Sequence, residues 1–400
     1  MGGSRYSMLA VAAAAGLLAA PVVLWEAGVR AGWPARLHEG WVMNGEDVAA
    51  AAYELQMEGD GKAALAMLKR ALDRDPASPY RWCDYGEALL EAGDTAGARR
   101  AMLAGAAAGP AIGPVLMREA NFAYMTADRK PALEYGRRLA AMTPAYDREV
   151  FTVWERMKIP TEQILSEGIP DARAAGAFLV YLMGGADAAS SGQAWKWAMS
   201  KGYVDDALAA RYTAFLVRLG EMGAAAAEWA RYARRYEPGY PEQNAVFNGG
   251  FERDSTRGAF DWQIVKINGA EAAMEPVDGA QGRALVVRFD GTVNLNYGGV
   301  YELAGVSAGR WVLAARMRTE GITTDEGIGL RVTDEEAPSR LTADAERMRG
   351  TQGWTEVKAA FAVPAGTRLV RIQLVRRESM KFDNKIAGTV YLDSVALRRE

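Results

Sequence analysis

Pro76, Pro110 and Pro144 stand 34 residues apart. The same step separates Ala64, Ala98 and Ala132, and again Asp60, Asp94 and Asp128. Three residue types that keep one period over three units restrict this stretch to an array of like units, each burying its apolar side against the next. In the middle unit Trp82, Tyr85, Gly86 and Leu89 share one face of a first helix. Gly93 breaks that helix, and Asp94 caps the next by accepting backbone N–H bonds. Ala98 is the small residue where two helices cross, and Met102 continues its face. Pro110 ends the second helix, because it lacks an N–H and restricts its predecessor. Gly59-Asp60 repeats the turn in the first unit; the third keeps Asp128 but has Ala127 in place of Gly.

This spacing resembles the tetratricopeptide repeat family. Trp82, Gly86, Ala98 and Pro110 occupy its signature slots, with Tyr85 where Leu is commoner and Leu89 where Tyr is commoner. The resemblance covers residues 45–144 and is strongest in the middle unit. A further pair of helices near 207–238 keeps Ala226 and Pro238 twelve apart, at an offset from Pro144 that is not a multiple of 34. Residues 160–203, with Trp195 and Trp197, read as an irregular helical pair. Residues 43–240 are therefore expected to form one α-solenoid of five or six helix pairs. The resemblance implies a concave face that holds a peptide or partner protein. The aromatic residues, Trp82 included, are expected to pack between repeats, and no Lys/Arg/Asn clamp singles out peptide-binding residues.

From residue 245 the pattern changes. RALVVRF (283–289), GRWVLAARMR (309–318), GIGLRV (327–332), TEVKAAFAV (355–363), RLVRIQLV (368–375) and TVYLDSVAL (389–397) alternate or are rich in β-branched and aromatic residues. Asp290-Gly291, Gly298-Gly299 and Pro364-Ala365-Gly366 separate them. About eight to ten strands without intervening helices indicate a β-sandwich over 245–400. Pro238, Gly239 and Pro241 mark the linker. The fold class is thus multidomain, α then β.

The order Asn248, Gly250, Phe251, Glu252, then Trp262, Gly282-Arg283-Ala284-Leu285, Gly309, Gly353-Trp354 and Asp393 with Val395 and Leu397 resembles the jelly-roll carbohydrate-binding modules, which share a galactose-binding-like sandwich. That resemblance implies a structural calcium between the first and last strands, at Glu252 and Asp393; the other reading leaves Glu252 an exposed strand residue without a metal. It also implies that Trp262 and Trp354 are core residues. A sugar site needs an aromatic platform and polar groups for hydroxyls. The candidates are Tyr297, Tyr301 and Trp311 for the platform, with Asn294, Asn296, Gln373, Arg376 and Asn384 for hydrogen bonds. NLNYGG (294–299) is the favoured stretch. Strand alternation puts Asn294 and Asn296 on one face and Tyr297 on the other unless the Gly pair bends the chain, so platform and packing both stand for Tyr297.

Residues 8–25, MLAVAAAAGLLAAPVVLW, carry no charge. Within 1–42 they read as an uncleaved membrane anchor or as a cleaved signal. Leu18-Ala19-Ala20 matches a cleavage site in part only, Pro21 follows it, and the anchor with an exported remainder is the preferred reading. Trp25, Trp33 and Trp41 would suit an interface. The net charge of −3, with acids and bases interspersed, argues against nucleic acid. Cys83 is the one cysteine and His38 the one histidine, which removes most Ser-His-Asp, Cys-His and His-rich zinc chemistry. Asp325-Glu326 and Asp334-Glu335-Glu336 read as solvated loop acids rather than a glycosidase pair. A non-enzymatic envelope scaffold is expected, with the solenoid on a protein and the sandwich on polysaccharide, in exopolysaccharide or O-antigen export or assembly. The alternatives are a protein-only assembly factor and an accessory subunit of a glycan-processing enzyme.

Overall fold

The computed structural model describes residues 45–382 and 384–400; the run 8–25, the Trp residues beside it and His38 lie outside the described residues. No helix among the described residues is long and apolar enough to cross a membrane. The chain divides into two compact units, and the division falls between Tyr203 and Val204.

The first unit is the helical array. Its first helices are α1 (Gly45–Met57), α3 (Pro79–Glu91), α5 (Gly113–Met125) and α7 (Asp147–Arg156). Its second helices are α2 (Gly61–Arg74), α4 (Thr95–Ala108) and α6 (Arg129–Met142). Each series recurs at the 34-residue step read from the prolines. The turns follow the same logic. Gly59 and Gly93 take φ of +87° and +86°, a left-handed conformation that glycine adopts without steric cost. Asp60 then accepts the Ala63 N–H at 3.0 Å and Asp94 the Gly97 N–H at 2.8 Å. In the third unit Ala127 is held at φ +55°, and Asp128 makes no side-chain cap but pairs with Arg99 at 2.7 Å. Ala64, Leu68, Ala98, Met102, Leu116 and Leu139 lie in the interior.

The fourth unit breaks the period. After α7 the chain makes only a short helical turn, Thr161–Gln163, and a π-helical turn, Ile164–Gly168. Trp154 fills the space instead: it is fully buried, donates to the Ala132 carbonyl at 3.0 Å and packs on Phe151 and Phe178. Regular helices return as α8 (Ala172–Gly184) and α9 (Ala188–Lys201). The irregularity expected over 160–203 is therefore confined to its start. This shortened unit also explains the lost register downstream, because the helices that begin at 172 and 188 are followed 34 residues later by those at 206 and 222.

The second unit opens with that last pair, α10 (Asp206–Arg218) and α11 (Met222–Ala233). Packing places it with the sandwich rather than with the helical array, ahead of the composition change at 245. Trp229 of α11 is fully buried against Phe247 (5.3 Å, edge-on) and Phe260 (6.4 Å, stacked). Among the described residues ten strands follow in two antiparallel sheets. One has the order β1-β4-β9-β6-β7: Gln263–Ile264, Tyr297–Gly305, Leu369–Arg376, Gly329–Asp334 and Thr342–Asp344. The other has the order β2-β3-β10-β5-β8: Ala270–Pro276, Arg283–Asp290, Ala387–Arg399, Gly309–Ile322 and Gly350–Val363. Leu285, Val287, Val300, Leu313, Ile372 and Leu392 fill the space between them.

The FNGGFE segment joins helices to sheets. Asn248 and Phe251 both have positive φ, and the Asn248 side chain bonds the Arg253 backbone twice. Gly249 lies against β10: its carbonyl accepts the Val395 N–H at 2.8 Å, and a Cβ on it would stand 2.1 Å from the Val395 oxygen. Only glycine permits that approach.

Candidate functional site

The sandwich carries an open cleft of about 660 Å³ beside the β3–β4 connection. Ile264, Val265 and Ile267 give it an apolar wall, and Lys266, Asn268, Glu271 and Arg288 supply polar groups. Asp290 and Tyr297, the two ends of the 290–297 loop, also line it. Tyr297 is 3% exposed and packs edge-on against Phe289 at 5.2 Å. Its hydroxyl is buried without a hydrogen-bond partner, and burial pushes its pKa well up. A ring this deep cannot serve as an open platform; of the two readings, the structure takes packing.

The other predicted sugar residues fall in three places. Arg376 is fully buried, where desolvation lowers its pKa. Its guanidinium donates to Asn294 Oδ1 (3.0 Å), the Leu295 carbonyl (2.6 Å), Thr324 Oγ1 (3.2 Å) and the Asn384 carbonyl (3.0 Å). Asn294 is spent on Arg376 and on the Ser379 backbone. These two therefore hold loops together rather than face a ligand, a correction that follows from the burial of Arg376 and from the four bonds its terminal nitrogens make within the loops. The loop they hold projects Met380 (97% exposed) and Phe382 (105%), which sequence reasoning passed over because two apolar residues in a loop have no period. Asn296 is exposed and Asn384 partly exposed near the same loops. Trp311 is buried in the core and donates to the Ser307 carbonyl at 2.8 Å, so it too packs rather than presents a face. Tyr301 and Gln373 are cross-strand partners on the outward side of their sheet. There Arg371 covers the Tyr301 ring at 4.2 Å, and Gln373 donates to the Gly298 carbonyl at 2.7 Å.

Trp262 is a core residue as expected, fully buried beside Phe251. Trp354 is not. It lies half-exposed on the outer side of the second sheet, with Arg316 over its ring at 5.0 Å and Tyr391 at 6.4 Å. Asp334 also departs from expectation: it is fully buried, not solvated, and accepts from Glu336 N, Ala337 N and Thr367 Oγ1. Desolvation opposes its charge, but these bonds and Arg340 outweigh it and lower its pKa.

Glu252 and Asp393 converge on one turn. Glu252 Oε1 accepts the Arg283 N–H at 2.9 Å, and Asp393 Oδ2 accepts the Gln281 N–H at 3.1 Å. Asp393 is fully buried, and its Oδ1 has no partner. Arg316 Nη1 stands 3.6 Å from Oδ2 and already supplies positive charge. Among the described residues no group of three or more acidic, His or Cys side chains could hold a metal ion. The pair fits a calcium to the extent of two converging carboxylates with one orphaned buried oxygen; carbonyls would have to complete the set.

A second polar centre lies between the first helices of the array. Arg118 forks onto Glu87 (2.7 and 2.6 Å) and reaches Asp84 at 2.8 Å, while Tyr53 donates to Asp84 at 2.9 Å. Burial works against the Arg118 charge, but the two carboxylates outweigh it and hold its pKa above the ordinary value. Burial and Asp84 push Tyr53 up to about 12. Met57, Tyr124 and Met125 are exposed on the same set of first helices. The centre ties α1, α3 and α5 together.

Residues 55–111 match the tetratricopeptide repeat family. No curated protein matches the chain. Among solved structures, a carbohydrate-binding module of the CBM4 class is 14% identical, with 39% of this chain and 99% of that one covered at a TM-score of 0.29. The CBM22-1 xylan-binding domain of Paenibacillus barcinonensis Xyn10C is 14% identical, covering 38% and 91%, at 0.28. PilF of Pseudomonas aeruginosa is 16% identical, covering 49% and 92%, at 0.27.

Proposed function

We propose that the chain is a non-enzymatic scaffold of the cell envelope. Residues 8–25 anchor it in the inner membrane with the bulk exported, the helical repeats hold a protein partner, and the sandwich contacts polysaccharide, in exopolysaccharide or O-antigen export or assembly. The family match over 55–111 supports the protein-binding half. The observation that carries the polysaccharide half is the cleft beside the 290–297 loop, where an apolar wall from Ile264, Val265 and Ile267 is lined as well by the Asn268 amide and the Lys266 cation. The acids with raised pKa values, Glu119, Glu237, Asp261 and Glu302, are buried or partly buried and do not line that cleft, which favours binding over acid–base chemistry. Glu252 and Asp393 would hold a structural calcium that joins the turn at 281–283 to the last strand.

A glycan array spanning neutral and acidic bacterial polysaccharides tests the reading: binding to at least one class is expected, and silence from folded protein overturns it. Calcium should raise the melting temperature of the wild type and leave Asp393→Ala unchanged; an equal rise in both removes the calcium. The exposed Met380 and Phe382 favour a second reading, a protein-only assembly factor whose sandwich engages a protein.

A further inference from the structure

Charge in the helical array is sorted by layer. The second helices are basic: α2 carries four Lys or Arg and one acid, α4 two and none, α6 four and one. The first helices lean the other way, with Asp84, Glu87 and Glu91 on α3 and the Arg118 cation of α5 consumed by two of them. First helices pack on one another through that network, which leaves the second helices as the outer layer. Lys69 and Arg99 are paired within the array, with Asp73 and Asp128. Lys62, Arg100, Arg129, Lys130 and Arg137 are exposed and have no acidic partner among the described residues.

The 34-residue step puts Lys69, Leu103 and Arg137 at equivalent places on α2, α4 and α6. Leu103 is 55% exposed, an apolar side chain amid cations. The one aromatic residue in these three helices, Tyr135, is buried. Nothing on this face can stack on a base or a sugar ring, which disfavours nucleic acid and glycan. Cations around an exposed leucine suit headgroup phosphates with the acyl boundary beneath. The preceding chain also brings a bilayer near: the uncharged run ends at Trp25, and the segment from there to Gly45 spans at most about 70 Å when extended.

We propose that the second-helix face of the array docks on an anionic phospholipid surface. The anchor reading supplies proximity only; the contact itself rests on the charges and Leu103. The test uses the full chain with Leu103→Cys carrying an environment-sensitive fluorophore. Cys83 is buried, its thiol pushed up to about 12 mainly by desolvation, and stays unlabelled. Vesicles of phosphatidylcholine alone are compared with vesicles containing phosphatidylglycerol. A blue shift and at least about a twofold rise in emission are expected on the anionic vesicles only, reversed by high salt. Arg100→Glu with Arg137→Glu should abolish that change and lower the excess partition to anionic over neutral vesicles by about tenfold. Cosedimentation with neutral vesicles reports the anchor separately, so its failure beside a retained signal at 103 removes the anchor and keeps the face. Identical emission on both lipids, or a response unaltered by the charge reversals, overturns the proposal. A response to soluble heparin but not to anionic vesicles overturns it in favour of a polysaccharide face.

Discussion

Replacing Glu119 by Gln removes the cost of keeping a carboxyl protonated inside the helical array. Glu119 is on α5, almost fully buried, and its Oε1 has no hydrogen-bond partner. Desolvation raises its pKa from 4.5 to about 8, against the attraction of Arg118 and Arg138 and with help from Glu87. The folded state therefore holds this proton more tightly than the unfolded chain does. Stability from this group is whole below about pH 4.5 and is lost as pH rises toward 8. At about 1.4 kcal/mol per unit, a gap of about 2.5 units between pH 4.5 and 7 corresponds to about 3 kcal/mol. A carboxamide is neutral throughout, so Glu119→Gln should be more stable than wild type by about 3 kcal/mol at pH 7 and equal to it near pH 4.5. Urea unfolding of the full chain, followed by helical circular dichroism at both pH values, measures this. A difference that stays the same at both pH values, or a variant that loses ground as pH rises, refutes the assignment of a buried, uncompensated carboxyl.

Ala127→Gly relieves a positive φ that its counterparts Gly59 and Gly93 tolerate. It should stabilise the array by about 0.5–1 kcal/mol in the same assay, and destabilisation would show that the turn is not strained. Trp229→Ala should cost about 3–5 kcal/mol and lower the melting temperature of the sandwich, because Phe247 and Phe260 close over that indole; loss of helical signal alone would contradict the grouping of α11 with the sheets. Tyr297→Ala should likewise destabilise the sandwich, whereas Tyr297→Phe, which removes a buried hydroxyl without a partner, should stabilise it by about 1 kcal/mol. A melting temperature of the Phe variant at or below that of the wild type would show that the hydroxyl is satisfied in the fold.

The array was legible because its unit is local. A glycine, an aspartate and a small residue at fixed offsets describe a turn, a cap and a crossing, and Gly59, Asp60 and Ala64 do what their repetition implies. The shortened fourth unit was not legible, since its cause is one indole: Trp154 occupies volume that a second helix would have taken. The sandwich strands were visible from alternation, and FNGGFE from its glycines. What failed were statements about which way a side chain points. Trp311 and Arg376 lie on the inward faces that strand alternation gives them, with Leu313 and Leu374, and Trp354 lies opposite the inward Val357 and Ala359, so position outweighs residue type; of the two readings left open for Tyr297, the packing one holds. Met380 and Phe382 gave no signal beyond being apolar in a loop. The placement of α10 and α11 with the sheets depends on Trp229 meeting Phe247 and Phe260, a contact between segments that no local pattern encodes.

Calorimetric titration of bacterial polysaccharides into the full chain, with Lys266→Ala as the cleft variant, addresses the central claim most directly. The account predicts saturable heat with at least one polysaccharide and a clear loss of that heat when the exposed Lys266 is removed. Absence of heat across neutral and acidic polysaccharides from a folded protein, or heat indifferent to Lys266, would contradict it.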